Sequence, residues 1–353
     1  ERFDQFEAFY LYGATPAAPG TIELLGKLNK RIVGFVDQDV TKQKTPFLGY
    51  PVIPPDDLLT AQGGAQIGII IIAAYQMEIY QYLSEKGVNT NCIFPFLDGM
   101  FYPTYTDGYV SSLTLTNVQN DLRDENEREY LKSWRRFKET ADLAVLKPIK
   151  SMSVQYAHAA WRASIMPGGT CCDIGAFDGQ SSVEFLDTKL FNKIIAFEPF
   201  QENYQKLVES IAQKNLGHVI EPRKVAIGAK RETLWQDLED VSSRSRIAAG
   251  DISVAGNGDC IEVYSLDSLL ISDISMIKVD IEGYELAFLE GAYETIKENK
   301  PHIAISAYHD RTHCTAIIEF FKQNFDGVHI SVGHHPHAVY ELEYYICFDV
   351  DKA

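Results

Sequence analysis

Short unbroken apolar runs alternate along the chain with stretches in which apolar residues recur every three or four positions, as strands alternate with amphipathic helices. Near the start, Phe9–Tyr12 reads as a strand stopping at Gly13, a helix runs through Ile22, Leu24, Leu25 and Leu28, and Arg31–Val36 is a strand ending in Asp37. Pro51–Ile53 is a short extended piece, and Pro54, Pro55, Asp56 and Asp57 open the next helix. Ile67–Ala74 is apolar throughout, as in a strand buried on both faces. Gln76–Lys86 has helical spacing and Cys92–Phe96 closes the series as a strand. This alternation predicts a parallel, doubly wound sheet.

From about Ser111 to Ala163 the pattern becomes charged and helical. Leu122, Tyr130, Leu131, Trp134 and Phe137 fall mostly on one face, and Asp124, Glu125, Glu127, Arg128, Arg135 and Arg136 read as the solvated face. Alternation resumes after Pro167. The expected strands are Thr170–Ile174, Lys193–Phe197, a signal within His218–Ile220 and Val225–Ile227, Ile261–Tyr264, Met276–Val279, His302–Ser306 and Tyr344–Phe348. The expected helices are Ser181–Phe185, Glu202–Asn215, a single helix Tyr284–Ile296, and Thr315–Asn324. The chain therefore reads as an α/β protein with a smaller module over 1–110, a helical connector over 111–165 and a second α/β domain over 166–353.

Composition narrows the function classes. A length of 353 residues suits two domains. A formal net charge of -17 would repel phosphate backbones and anionic lipid, so no nucleic-acid or membrane partner is expected. No apolar run is long enough to cross a bilayer. No secretory signal is read, and the six cysteines match neither a disulfide scaffold nor a zinc spacing, which points to a reducing cytoplasm. His329, His334, His335 and His337 gather near the end without a recognised zinc spacing, so no metal site is assigned. The pattern is compatible with a homo-oligomer.

The chemistry concentrates after the strand Thr170–Ile174. Asp173 ends that strand; Gly175, Ala176 and Phe177 form a loop; Gly179 leads into a helix. Small residues let a ligand approach the backbone, and the helix start offers free N–H groups. Glu198 follows Gly179 by 19 residues at the next strand end, where an acid accepts hydrogen bonds from ribose hydroxyls. A carboxylate at Asp173 would repel a pyrophosphate but suit the ammonium and sulfonium of S-adenosylmethionine (AdoMet). Further on, Asp280 and Glu282 reach the same sheet edge, where they could orient a hydroxyl, accept its proton or hold a divalent cation. Glu285 reads as a complement to the helix N-terminus that follows. His309 lies past another strand end, as a neutral imidazole able to take a proton or as a structural loop cap.

These residues resemble the FkbM family of methyltransferases. The likeness runs through the Asp173–Gly179 loop, Ala196-Phe197-Glu198-Pro199, Val225-Ala226-Ile227-Gly228, Leu266–Leu269, the Ile277–Glu285 stretch, Tyr308-His309, and the ending around His334 and Tyr344–Cys347. It covers about Pro167 to Phe348. It implies a Rossmann-like AdoMet methyltransferase domain, with a mostly parallel sheet and an antiparallel last strand. By position it implies that Asp173, Gly175 and Gly179 bind the methionine part and backbone, Glu198 holds the ribose, Ala226 lies near the adenine, and Asp280 and Glu282 face the reacting methyl and acceptor. Many relatives carry a glutamate two residues before the strand-end histidine, where this chain has Ala307. The first module resembles Rossmann-like modules found beside sugar-modifying enzymes, through Tyr12-Gly13-Ala14, Gly34–Asp37 and Gly49–Ile53; its loop prolines, Pro16 and Pro19, argue against a phosphate cradle.

The expected function is AdoMet-dependent O-methylation of a hydroxyl-bearing small molecule or glycan, catalysed through Asp280, Glu282 or His309. Two alternatives remain open: an NAD-dependent sugar oxidoreductase or epimerase using the first module, and a binding protein that kept the methyltransferase fold without turnover.

Overall fold

The computed structural model describes residues 2–61, 66–73, 75–95, 118–119, 122, 124–147, 155–156, 158, 162, 164–235, 260–310, 312–333, 339 and 341–349. The chain divides into two compact units, one of Glu1–Ser111, Arg128–Ser151 and His334–Glu341, the other of Ser112–Glu127, Met152–Gly333 and Leu342–Ala353.

In the first unit, strands β1 (Ala8–Tyr12), β2 (Arg31–Val36), β3 (Val52–Ile53), β4 (Ile67–Ile71) and β5 (Ile93–Phe94) alternate with helices α1 (Ala18–Lys27), α2 (Pro55–Ala61) and α3 (Gln76–Glu85). The sheet is parallel, in the order β3-β2-β1-β4-β5. Apart from the exposed Arg31 that opens β2, its strands are apolar, because both faces of the sheet are covered. Tyr10, Tyr12, Ile69 and Ile71 face one apolar cluster, and Phe9, Leu11, Phe35 and Ile70 the other.

Helix α4 (Glu125–Thr140) belongs to the middle of the chain. Tyr130, Leu131, Trp134 and Phe137 are buried, as their spacing predicts. Glu127 departs from its expected solvated position: it is 8% exposed and lies 3.5 Å from His158. The reason is spacing, since Glu127 sits three, four and seven positions before Tyr130, Leu131 and Trp134 and shares their face. Burial pushes its carboxyl up to about 7, and burial holds His158 down at about 4.

The second unit is built on seven strands in the order β14-β15-β13-β12-β6-β7-β8. They are β6 (Thr170–Ile174), β7 (Lys193–Phe197), β8 (Ile220–Arg223), β12 (Ile274–Val279), β13 (His302–Ser306), β14 (Val328–Gly333) and β15 (Glu343–Phe348). The last strand, β15, runs antiparallel to both neighbours, as the family resemblance implies. A small sheet pairs β9 (Ala226–Ile227), β10 (Glu232–Trp235) and β11 (Cys260–Tyr264). The helices are α5 (Gln180–Asp187), α6 (Gln201–Gln213), α7 (Glu285–Gly291), α8 (Tyr293–Asn299) and α9 (His313–Asn324).

The single helix expected over Tyr284–Ile296 is two helices, because the chain leaves helical geometry at Ala292 (φ -116°). At that break Gly291 presses against the loop after β9: a Cβ on Gly291 would stand 1.9 Å from the Gly228 carbonyl oxygen. No helix among the described residues is long and apolar enough to cross a membrane.

Candidate active site

β6 carries the chain to the carboxyl edge of the sheet, where it turns through left-handed backbone at Gly175 (φ 80°), Phe177 (φ 50°) and Gly179 (φ 86°). Gly175 has no alternative there. A Cβ would lie 1.9 Å from the carbonyl oxygen of Asp280, so the loop and the end of β12 touch backbone to backbone. The amides of Gly175 and Ala176 both donate to the Phe197 carbonyl at 3.0 Å, which ties the same loop to β7. Gly179 starts α5, and a side chain there would meet Leu207 at 2.7 Å.

Between these strand ends lies a cavity of about 330 Å³, walled in part by Gly175, Phe177, Glu198, Ala226, Asp280 and Glu282. The volume falls at the lower end of small-ligand pockets, about 300–1,000 Å³. Glu198 is 4% exposed; it accepts the Phe177 amide on one oxygen and the Phe200 amide on the other, each at 3.0 Å. Burial pushes its carboxyl up to about 7, and the two amide bonds work against that rise.

Asp173, Ala176 and Gly179 stand behind this wall rather than in it. Asp173 has no exposed surface. One of its oxygens accepts the hydroxyls of Ser181 and Ser182 at 2.7 and 2.5 Å, and the other lies 3.3 Å from the Lys278 ammonium. Lys278 also donates to the Gly175 carbonyl at 2.6 Å. The Asp173 carboxylate therefore meets a cation of the chain itself, and together the two brace the glycine loop from beneath. Sequence reasoning does not single out Lys278, although a lysine inside the apolar strand Met276–Val279 signals a buried partner.

At the other end of the cavity the carboxylates and histidines converge. Asp280 accepts the Tyr156 hydroxyl at 2.7 Å and lies 3.3 Å from Nε2 of His309, with Glu282 3.6 Å from the same nitrogen. Glu282 holds a left-handed backbone (φ 55°), which turns its carboxylate back toward His309. Glu285 is fully buried and does more than complement a helix start. It accepts His309 Nδ1 at 2.7 Å and the Ile281 amide at 3.1 Å, and its second oxygen lies 3.0 Å from Nδ1 of His313. The hydrogen bonds and charges of the two histidines outweigh its burial and hold it well below the usual carboxylate range.

His309 differs from the neutral imidazole expected from its place in the sequence. Burial pulls it down, but the Glu285 hydrogen bond and the charges of Glu285, Asp280 and Glu282 push it up to about 9, so it is a cation at neutral pH. Asp280, Glu285 and His309 offer atoms within 4.8 Å of one another, close enough to share a metal ion. The ion pairs of His309 with the two acids already join the three into a charged cluster. Tyr156 comes from the middle of the chain, where no motif marks it. His329 binds Asp349 at 2.5 Å on the surface, and the remaining histidines of that group, His334, His335 and His337, lie outside the described residues.

An open sheet of this order, with its one antiparallel strand second from the edge and a glycine loop after β6, is a Rossmann-like methyltransferase fold. Residues 173–336 match the family model of the methyltransferase FkbM domain. The methyltransferase FkbM from Methylobacillus flagellatus KT superposes with a TM-score of 0.72 at 18% identity, over 96% of this chain and 90% of that one. A putative tRNA (m1A22) methyltransferase from Streptococcus pneumoniae, in complex with S-adenosyl-L-methionine, aligns at 14% identity over 54% of this chain and 72% of its own, with a TM-score of 0.33. No curated protein matches the chain.

Proposed function

We propose that the second unit transfers a methyl group from AdoMet to a hydroxyl oxygen of a sugar, glycan or similar small acceptor. The observation that carries this is one cavity with Glu198 in its wall and the Asp280–His309 pair at its edge. The residues suit AdoMet. Gly175 lets the loop at the cavity wall pack directly on the Asp280 backbone, which a Cβ would prevent, and Glu198 has oxygen lone pairs beyond those its two amides use, available to ribose hydroxyls.

When bound, AdoMet supplies a methyl group activated on a sulfonium. The chain supplies alignment and proton handling. Gly175 and Phe177 bring the loop backbone against the ligand, and Glu198 fixes its ribose. Asp280, held by Tyr156 and the charged His309, accepts a hydrogen bond from the acceptor hydroxyl and takes its proton as the oxygen gains the methyl group. Because sulfonium is a good leaving group, positioning contributes much of the rate. His309 acts by holding and balancing Asp280, which replaces the direct base role given to a neutral imidazole.

The test is transfer of labelled methyl from AdoMet to a panel of monosaccharides, glycans and amines. Transfer to hydroxyls is expected, with kcat lowered about 100-fold or more in Asp280→Ala and AdoMet affinity kept. Methylation of amines alone, turnover untouched in Asp280→Ala, or no release of methyl to any acceptor overturns the proposal.

A further inference from the structure

The first unit has a cavity of its own, of about 710 Å³. Tyr12 and Gly13 border it at the end of β1, Asp37 at the end of β2 and Ala73 just past β4. From β1 the chain winds outward to β2 and β3, then crosses back to place β4 on β1's other side. Open α/β sheets bind ligands at such a reversal, beyond the carboxyl ends of the strands.

A phosphate or dinucleotide does not fit this cavity. The Ala14 amide, first after the Gly13 turn, donates to Asp37 Oδ2 at 2.9 Å. Lys42 donates to the same oxygen at 2.9 Å and to the Ala14 carbonyl at 3.0 Å. The other oxygen of Asp37 accepts the Asp39 amide at 2.9 Å. The loop's leading amide, the lysine and the strand-end acid are thus engaged with one another. The other charged groups on the wall, Asp56 and Glu78, are both acidic and would repel an anion.

The rest of the wall suits a polyhydroxylated, uncharged ring. Tyr12, Tyr75 and Tyr82 line it, and Tyr75 is 61% exposed, an unusual position for so large a side chain. Aromatic faces take the C–H side of a pyranose, and carboxylates accept hydrogen bonds from its hydroxyls. Asp56 lies 3.4 Å from the Tyr82 hydroxyl, so a carboxylate and a ring edge stand side by side. We infer that this cavity binds a carbohydrate, as a hexopyranose unit without phosphate. The inference is independent of whether the second unit binds AdoMet.

Saturation-transfer NMR on the whole chain tests it, with glucose, galactose, mannose and N-acetylglucosamine as probes and NADH as the anionic control. At least one sugar should receive saturation from the wild type. Its affinity should fall about tenfold in Tyr75→Ala and in Asp56→Asn, with the unfolding midpoint of each variant unchanged. No transfer to any of these sugars, transfer that survives both substitutions, or transfer to NADH in place of the sugars overturns it.

Discussion

Asp173→Ala removes a carboxylate with no exposed surface from beside a lysine that is 2% exposed. Lys278 would keep its bond to the Gly175 carbonyl and lose its only ion-pair partner among the described residues. Stranding one member of a buried pair costs about 3–5 kcal/mol. The hydroxyls of Ser181 and Ser182 lose their shared acceptor as well, which brings the loss toward the upper end of that range. Against a total stability of about 5–15 kcal/mol, this is a large fraction. Lys278→Met in the same chain removes the stranded charge, so the double variant should recover about 1–3 kcal/mol relative to the sum of the single changes. Urea unfolding of the four proteins, with and without AdoMet, measures both quantities. A wild-type unfolding curve for Asp173→Ala, combined with lost AdoMet affinity, would refute the brace and return Asp173 to direct contact with the cofactor.

Gly175→Ala should shift Asp280 through its carbonyl oxygen. A backbone φ of 80° adds about 1–2 kcal/mol of strain to that clash, and a misplacement near 1 Å costs about 100-fold in rate; unchanged turnover would contradict the close approach. The pH dependence of stability carries a second signature. His309 titrates at about 9 in the folded chain against an ordinary 6.5, so its contribution is fully present below 6.5 and is lost as pH rises through 9. The change is about 3 kcal/mol, and urea unfolding at several pH values should show it in the wild type but not in His309→Gln; parallel profiles would falsify the charged assignment. Glu285, held low, acts in the opposite sense: its contribution is present above the ordinary carboxylate value and fades as pH falls below it.

The strands that frame the cavity were legible because they are buried on both faces. Thr170–Ile174 and Lys193–Phe197 have the bounds that their apolar runs predict. β14 escaped detection because most of its residues are only half-buried, and polar His329 and Ser331 interrupt its apolar positions. The break at Ala292 accompanies the approach of Gly291 to Gly228, 63 residues earlier in the chain, which no local propensity records. The site shows the same division. Glu198, Asp280 and Glu282 were singled out from strand ends and spacing and Ala226 through the family resemblance, and all four line one cavity. The charge of His309, the hub role of Glu285 and the contact from Tyr156 come from tertiary neighbours. Asp173 marks the limit most clearly: its residue type suggested a cation partner, but only the fold identifies that partner as Lys278.

Calorimetric titration of the whole chain with AdoMet, set beside NADH, tests the central claim most directly. Binding at the Gly175–Glu198 cavity predicts heat from AdoMet at one site per chain, no heat from NADH, and affinity about tenfold weaker or more in Glu198→Ala. NADH binding without AdoMet binding, or AdoMet affinity indifferent to Glu198→Ala, would contradict it.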